Sequence, residues 1–195
     1  MMSSLRRAFV AVVPPTDVLD SVEAAVGPLR RVAPPRLSWT RREQWHLTLQ
    51  FLGAVDDVEL LVDSLVGNLA ACLPVTLGLG GAGGFPSESR ASVLWIGLDD
   101  GHEELARLGG AVERATEPLG HEPDFREFHP HLTIARARRP CPLGSVVAAL
   151  GDGSIGPRWD ATEVVLMESD TRFDGAAYKE IAHFPLRRQS PLVDR

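Results

Sequence analysis

Two stretches of this chain, QWHLTLQFLG (Gln44 to Gly53) and HPHLTIAR (His129 to Arg136), each place a histidine and a threonine two residues apart inside an apolar run. Each stretch also lies at the same distance behind an earlier apolar run, since Val10 precedes His46 and Trp95 precedes His131 by 36 residues. A matched spacing of this kind predicts an internal repeat, strand, helix, strand, at about residues 6–53 and 91–138, with approximate two-fold symmetry. Few architectures satisfy that constraint. Strand alternation puts His46 and Thr48 on one face, opposite Trp45, Leu47, Leu49 and Phe51, and puts His131 and Thr133 on one face of the second copy.

The remaining punctuation fills in the elements. RRAFVAVV, from Arg6 to Val13, reads as a buried strand ended by Pro14 and Pro15, and Thr16 as the N-cap of a helix with Val18, Leu19, Val22, Val26 and Leu29 inward. A short strand is predicted at Leu37 to Thr40, and a helix from Asp57 to Leu73 with Asp56 and Glu59 as a capping box. Val75, Leu77 and Leu79 alternate as a strand. The glycine-rich GLGGAGGFPSESR, from Gly78 to Arg90, lacks phosphate-loop spacing and reads as a flexible connection. A strand at Ser92 to Leu98, a helix near His102 to Pro118, a short helix at Leu143 to Leu150 and a hairpin of Ala161 to Ser169 with Ala177 to Leu186 complete the pattern. Mixed antiparallel strands and helices at 195 residues predict an α+β fold, one domain over 1–195 in two lobes.

Composition narrows the function. A hydrophobic share of 44% and a charged share of 24% are those of an ordinary globular protein, and no apolar run reaches the roughly 20 residues of a spanning helix, so a cytoplasmic protein without membrane contact is expected. The net charge of −6 disfavours coating a long duplex but leaves room for a substrate with one or two phosphates. Cys72 and Cys141 have no metal-ligand spacing.

Two imidazoles and two hydroxyls converging on one cleft suit acid and base catalysis at a phosphodiester. One neutral imidazole takes a proton while the other, as imidazolium, gives one, and histidine alone holds either state near neutral pH. The hydroxyls of Thr48 and Thr133 can donate to non-bridging oxygens. The scheme needs no metal and no cofactor. Three other readings stand beside it: a metal site, for which threonine is a poor ligand; a serine or cysteine nucleophile, for which no GxSxG elbow exists; and two core strands alike by chance.

HLTL (His46 to Leu49) and HLTI (His131 to Ile134) resemble the paired H-x-[ST]-apolar motifs of the 2H phosphoesterases. RRAFVAV, QWHLTLQFLG, FHPHLTIAR and LMESDTRFDGAAY (Leu166 to Tyr178) are similar to the RNA 2′,3′-cyclic phosphodiesterases, also called 2′-5′ RNA ligases. The resemblance implies a bilobal α+β fold with antiparallel lobes, outer helices and a cleft between the lobes. It implies hydrolysis of RNA 2′,3′-cyclic phosphate ends to 2′-phosphomonoesters, with His46 as proton donor, His131 as proton acceptor, and Thr48, Thr133 and Arg136 on the phosphate. The joining reaction to a 2′-5′ linkage belongs to the same resemblance. Substrates expected on this reading are RNA ends, tRNA fragments among them, or small cyclic nucleotides, acted on by a monomer; a binding module without turnover is the alternative.

Alternation alone sets Arg136 on the face opposite His131 and Thr133, so Arg136 reaches the phosphate only if the strand ends or bulges between them. His129 shares the face of His131 by parity and is read as lying at the strand entrance, with support of His131 or substrate binding as the competing role. Phe9, Phe51, Trp39 and Trp45 occupy apolar strand positions and are expected in the core, with base stacking as the competing role. Arg41 and Arg42 are read equally as solvated loop residues or as residues that steer RNA, and His102, His121 and His183 as exposed or structural.

Overall fold

A computed structural model describes residues 4–123, 128–172 and 175–187. The chain runs β1 (Leu5–Val12), α1 (Thr16–Val26), β2 (Leu37–Trp39), β3 (Leu47–Val55), α2 (Val58–Leu69), β4 (Val75–Phe85), β5 (Ala91–Asp100), α3 (His102–Thr116), β6 (Leu132–Cys141), α4 (Gly144–Leu150), β7 (Trp159–Ala161), β8 (Glu163–Arg172) and β9 (Gly175–Pro185). Short 3-10 turns fill several of the connections.

Among the described residues all nine strands belong to one sheet, in the order β7-β4-β5-β6-β3-β1-β8-β9 with β2 on β6, and every pairing is antiparallel. The order is symmetric about the β6–β3 junction, so each half carries one His-x-Thr strand at its inner edge. The junction itself is narrow: Leu47 opposite Leu132 is its registered pair. The two halves of the sheet therefore meet where the two motifs begin.

Helical faces follow the periodicity of the sequence. Val18, Val22 and Val26 of α1, Val58, Leu61, Leu65 and Leu69 of α2, and Leu105, Leu108 and Val112 of α3 are buried, and with the inward strand residues they form the main core. A second, smaller cluster of Phe9, Ala11, Val165 and Met167, with Val13 and Tyr178 against it, lies apart from that core. Ala11 is paired with Thr48, and cross-strand partners project from the same face, so this cluster floors the open side of the first half.

Several expectations shift. Thr16 is the first helical residue, with Pro15 as a cap that offers no side-chain bond. Helix α2 is capped by Asp57 rather than Asp56; its carboxylate accepts from the Leu60 amide at 3.0 Å, and the helix stops at Leu69. The cross-strand partner of Thr133 is Trp95 but that of Thr48 is Ala11, so the two copies are one residue out of step with the equal spacing seen in the sequence.

The glycine-rich run is the larger correction. Gly78 to Phe85 is not a flexible connection but the body of β4, paired along its length with β5. Glycine serves there because side chains of β5 lie across the strand: a Cβ on Gly83 would enter the indole of Trp95, and a Cβ on Gly80 would meet the Asp99 carboxylate. Asp99 in turn accepts a hydrogen bond from the Ser154 hydroxyl, which ties the loop before β7 to this edge.

Candidate active site

Strands β3 and β6 carry the same sequence of burial over their first eight residues: buried, half-buried, buried, buried, exposed, buried, exposed, exposed. Simple alternation would not place two consecutive buried residues after each threonine. A bulge does. On β3, Ala11 pairs with Thr48 and the next residue back, Val10, pairs with Gln50; on β6, Trp95 pairs with Thr133 and Leu94 pairs with Ala135. One step on the partner strand matches two on the motif strand, so parity inverts after the motif.

The inversion returns Arg136 to the face of His131 and Thr133, and it does the same for Phe51 in the first half. Phe51 is 70% exposed, against the expectation of a core residue, whereas Phe9 and Trp45 are buried as expected and Trp39 is half-buried. Gln50, the next polar residue of the HLTLQ alternation, turns inward instead: it is 5% exposed and its Oε1 accepts from the Thr116 hydroxyl at 2.7 Å.

His46, Thr48, His131, Thr133 and Arg136 all line one cavity of about 300 Å³. The same cavity is lined by Thr40, Gln44, Phe51, Tyr178, Arg7 and Ser169. Among the described residues that line it there is no carboxylate, although the chain as a whole carries a net charge of −6. Its electrostatics therefore favour an anion.

Both imidazoles are held in the same way. The Nδ1 of His46 lies 2.8 Å from the carbonyl oxygen of Gln44, and the Nδ1 of His131 lies 2.8 Å from that of His129. A carbonyl only accepts, so each Nδ1 carries the proton and each Nε2 is left to face a ligand. Ring contacts fix the planes. Phe9 lies tilted on His46 at 4.7 Å and Tyr178 stands edge-on at 5.1 Å; Phe85 stands edge-on to His131 at 5.0 Å, with His129 at 6.2 Å and Trp95 at 6.4 Å.

This packing sets the proton affinities. Burial, with further contributions from Arg136 and His131, pulls His46 down to about 4 against the opposing pull of the Gln44 carbonyl. Burial likewise lowers His131, helped by His129 and Arg136 and opposed by the His129 carbonyl. The Tyr178 hydroxyl is raised by burial, with Arg136 acting against the rise. Arg136 thus makes itself felt at three groups of the cavity.

Thr40 links the halves. Its hydroxyl donates to the Thr133 carbonyl at 2.9 Å and accepts from the Trp45 indole at 2.9 Å, joining the segment before the first motif to the second motif. Polar spacing in the sequence singles out none of Thr40, Tyr178 and Phe51. The wider C-terminal likeness hints at Tyr178, and base stacking stands as the competing role of Phe51. Arg42 is held by Asp20 and the Thr16 carbonyl, His183 by Glu163 and Glu180, and His121 by the Leu52 carbonyl, all in keeping with structural roles. The tail beyond 187 and the hairpin tip at Phe173 and Asp174 lie outside the described residues. No group of three or more metal-binding side chains occurs among the described residues, and no helix there is long and apolar enough to cross a membrane.

A symmetric antiparallel sheet with one His-x-Thr strand from each half, opening on one cavity, defines a 2H phosphoesterase. The chain belongs to the 2′-5′ RNA ligase superfamily, whose model matches residues 18–172. It is 32% identical to the RNA 2′,3′-cyclic phosphodiesterase of Aeropyrum pernix over 145 residues, covering 71% of this chain and 80% of that one. It is 31% identical to the enzyme of that name from Thermus thermophilus, covering 93% and 90%. The crystal structure of TT0787 of Thermus thermophilus superposes with a TM-score of 0.75 at 26% identity, over 94% of this chain and all of that one.

Proposed function

We propose that this protein hydrolyses RNA 2′,3′-cyclic phosphate ends to 2′-phosphomonoesters, with two histidines as acid and base. The observation that carries the reading is that His46 and His131, each with its Nδ1 committed to a backbone carbonyl, share with two threonines and Arg136 one cavity that has no carboxylate among the described residues lining it. In this reading the neutral Nε2 of His131 takes a proton from water as it attacks phosphorus. The P–O3′ bond breaks, and protonated His46 gives its Nε2 proton to the departing O3′. Thr48, Thr133 and Arg136 hold the non-bridging oxygens, where charge builds in the transition state.

The low affinity of His46 for a proton fits a donor that is loaded by its substrate. Burial with Arg136 nearby disfavours the imidazolium, and an arriving phosphate anion favours it. Proton and substrate then bind together. Phe51, exposed on the same face, offers the terminal base a surface to stack on. A cavity of about 300 Å³ is at the small end of ligand sites, which suits a single terminal nucleotide, so 2′,3′-cyclic mononucleotides are substrates on the same reading.

The test is an oligonucleotide ending in a 2′,3′-cyclic phosphate, incubated with the protein in EDTA and analysed for the position of the product phosphate. A 2′-phosphate is expected from the wild type and almost none from His46→Ala or His131→Ala. An intact end, a 3′-phosphate, or a variant at wild-type rate overturns the assignment.

A further inference from the structure

We infer that Trp95, Phe85 and His129, beside His131, form a second nucleoside subsite that takes the 5′-hydroxyl partner of a 2′-5′ phosphodiester. The inference rests on the function proposed above and adds to it where the second nucleoside sits.

Trp95 is the cross-strand partner of Thr133, so its ring projects from the same open face as the motif hydroxyl. The indole is spread flat over the backbone of β4 and β5, where Gly83 and Gly97 lack side chains to lift it. Phe85 lies 5.3 Å from it and His129, which is exposed, 4.7 Å. These three rings form one cluster beside His131, with Phe85 edge-on to it at 5.0 Å, Trp95 tilted against Phe85 and His129 edge-on to both. A single buttress would be enough to orient His131. Here three aromatic groups extend away from it toward solvent at His129.

The chemistry says what such a surface would meet. In a displacement at phosphorus the entering and leaving oxygens stand roughly in line on opposite sides. With O3′ and its nucleoside on the His46 and Phe51 side, the entering oxygen comes from the His131 side. Water needs no further contact there. A ribose 5′-hydroxyl brings a base with it, and a base stacks on an aromatic surface with a gain of roughly five- to a hundredfold in binding. In the forward step O5′ bonds to phosphorus, the P–O3′ bond breaks, the O5′ proton passes to His131 and the His46 proton passes to O3′. The reverse step cleaves a 2′-5′ linkage to the cyclic phosphate and a free 5′-hydroxyl. Nothing is oxidised or reduced in either direction, and no triphosphate is consumed.

The readout is a product ratio. Adenosine 2′,3′-cyclic phosphate is supplied with an excess either of adenosine or of glycerol, an alcohol with no base, and joined product is divided by hydrolysed product. The wild type is expected to favour adenosine at least tenfold per mole. His129→Ala and Trp95→Leu are expected to lower the adenosine ratio at least fivefold and to leave the glycerol ratio in place. Damage confined to the setting of His131 slows both products and leaves both ratios unchanged, which overturns the inference, as does a wild type with no preference for adenosine. Binding gives an independent arm. In a His46→Ala background a 2′-5′-linked adenosine dinucleotide should bind at least tenfold tighter than 2′-AMP, and adding His129→Ala should remove the difference. Equal affinities overturn the subsite whatever happens to hydrolysis; failure of the wild type to hydrolyse any cyclic end strikes instead at the function proposed above.

Discussion

Phe51 and Arg136 occupy the same station in the two halves of the molecule, five residues beyond His46 and His131, each returned to the open face by a bulge after its threonine. The two halves are thus alike in imidazole and hydroxyl and unlike at this one rung. An aromatic ring on one side and a guanidinium on the other give a near-symmetric cleft a direction.

Substitutions at that rung are expected to separate by kind. On the proposed function Arg136→Ala removes a charged donor to the phosphate and should lower kcat by about 10²- to 10³-fold, the loss typical of one oxyanion-stabilising donor. Phe51→Ala should raise KM for a base-bearing cyclic phosphate by an amount worth about 1–3 kcal/mol and leave a base-free ribose cyclic phosphate unaffected. Steady-state kinetics on the two substrates checks both. Equal losses on the two substrates for Phe51→Ala would remove the stacking role.

Much of this cleft is legible in the amino-acid sequence, and the part that is not has a common cause. Alternation correctly pairs His46 with Thr48 and His131 with Thr133, because period-two logic holds over three residues whatever follows. It also shows that Arg136 can join them only through an irregularity. It cannot locate that irregularity, since a bulge adds one unpaired residue without a marker such as glycine: Leu49–Gln50 and Ile134–Ala135 look like ordinary strand. The same limit puts Phe51 on the wrong face. Gln50 is the available signal, a polar residue on the polar parity that is nonetheless buried with Thr116. The glycine run of β4 misleads because glycine usually means freedom; here it means that Trp95 and Asp99 need the space, which is a property of the neighbouring strand.

That role of glycine in β4 has a measurable consequence. Gly83→Val places branched carbon where the Trp95 indole lies, and the indole cannot move inward through its own sheet. Overpacking of this kind costs about 1–3 kcal/mol. Denaturant unfolding should show the loss, and intrinsic fluorescence should report a more exposed tryptophan. Gly67→Ala on α2, where a Cβ meets nothing, should instead be neutral or mildly stabilising in the same experiment.

The pH dependence of turnover follows from the direction of both imidazole shifts. The free protein holds His46 at about 4 and His131 below its ordinary value, so kcat/KM, which reports free enzyme, should peak on the acid side of an unperturbed imidazole. A bound phosphate anion favours the imidazolium, so the limbs of kcat should lie at higher pH than those of kcat/KM. Arg136→Gln removes a cation that depresses both rings and should move the kcat/KM profile upward. The two apparent values belong to the pair and not to either ring. Coincident profiles for kcat and kcat/KM would argue against loading of the proton by substrate.

The same shift makes a statement about stability that needs no substrate. His46 is neutral in the folded protein until about pH 4, whereas in the unfolded chain it takes up a proton below about 6.5. Between those values the unfolded state binds more protons, so stability is lost as pH falls through this window; below about 4 both states are protonated and no further loss accrues from this group. The interval corresponds to at most about 3 kcal/mol, and His131 adds in the same direction. His46→Phe keeps a ring between Phe9 and Tyr178 while removing the titrating group. Urea unfolding at pH 7 and at pH 4.5 should therefore show a larger drop for the wild type than for His46→Phe, the carboxylates contributing equally to both. Parallel losses in the two proteins would mean that the fold does not hold His46 neutral.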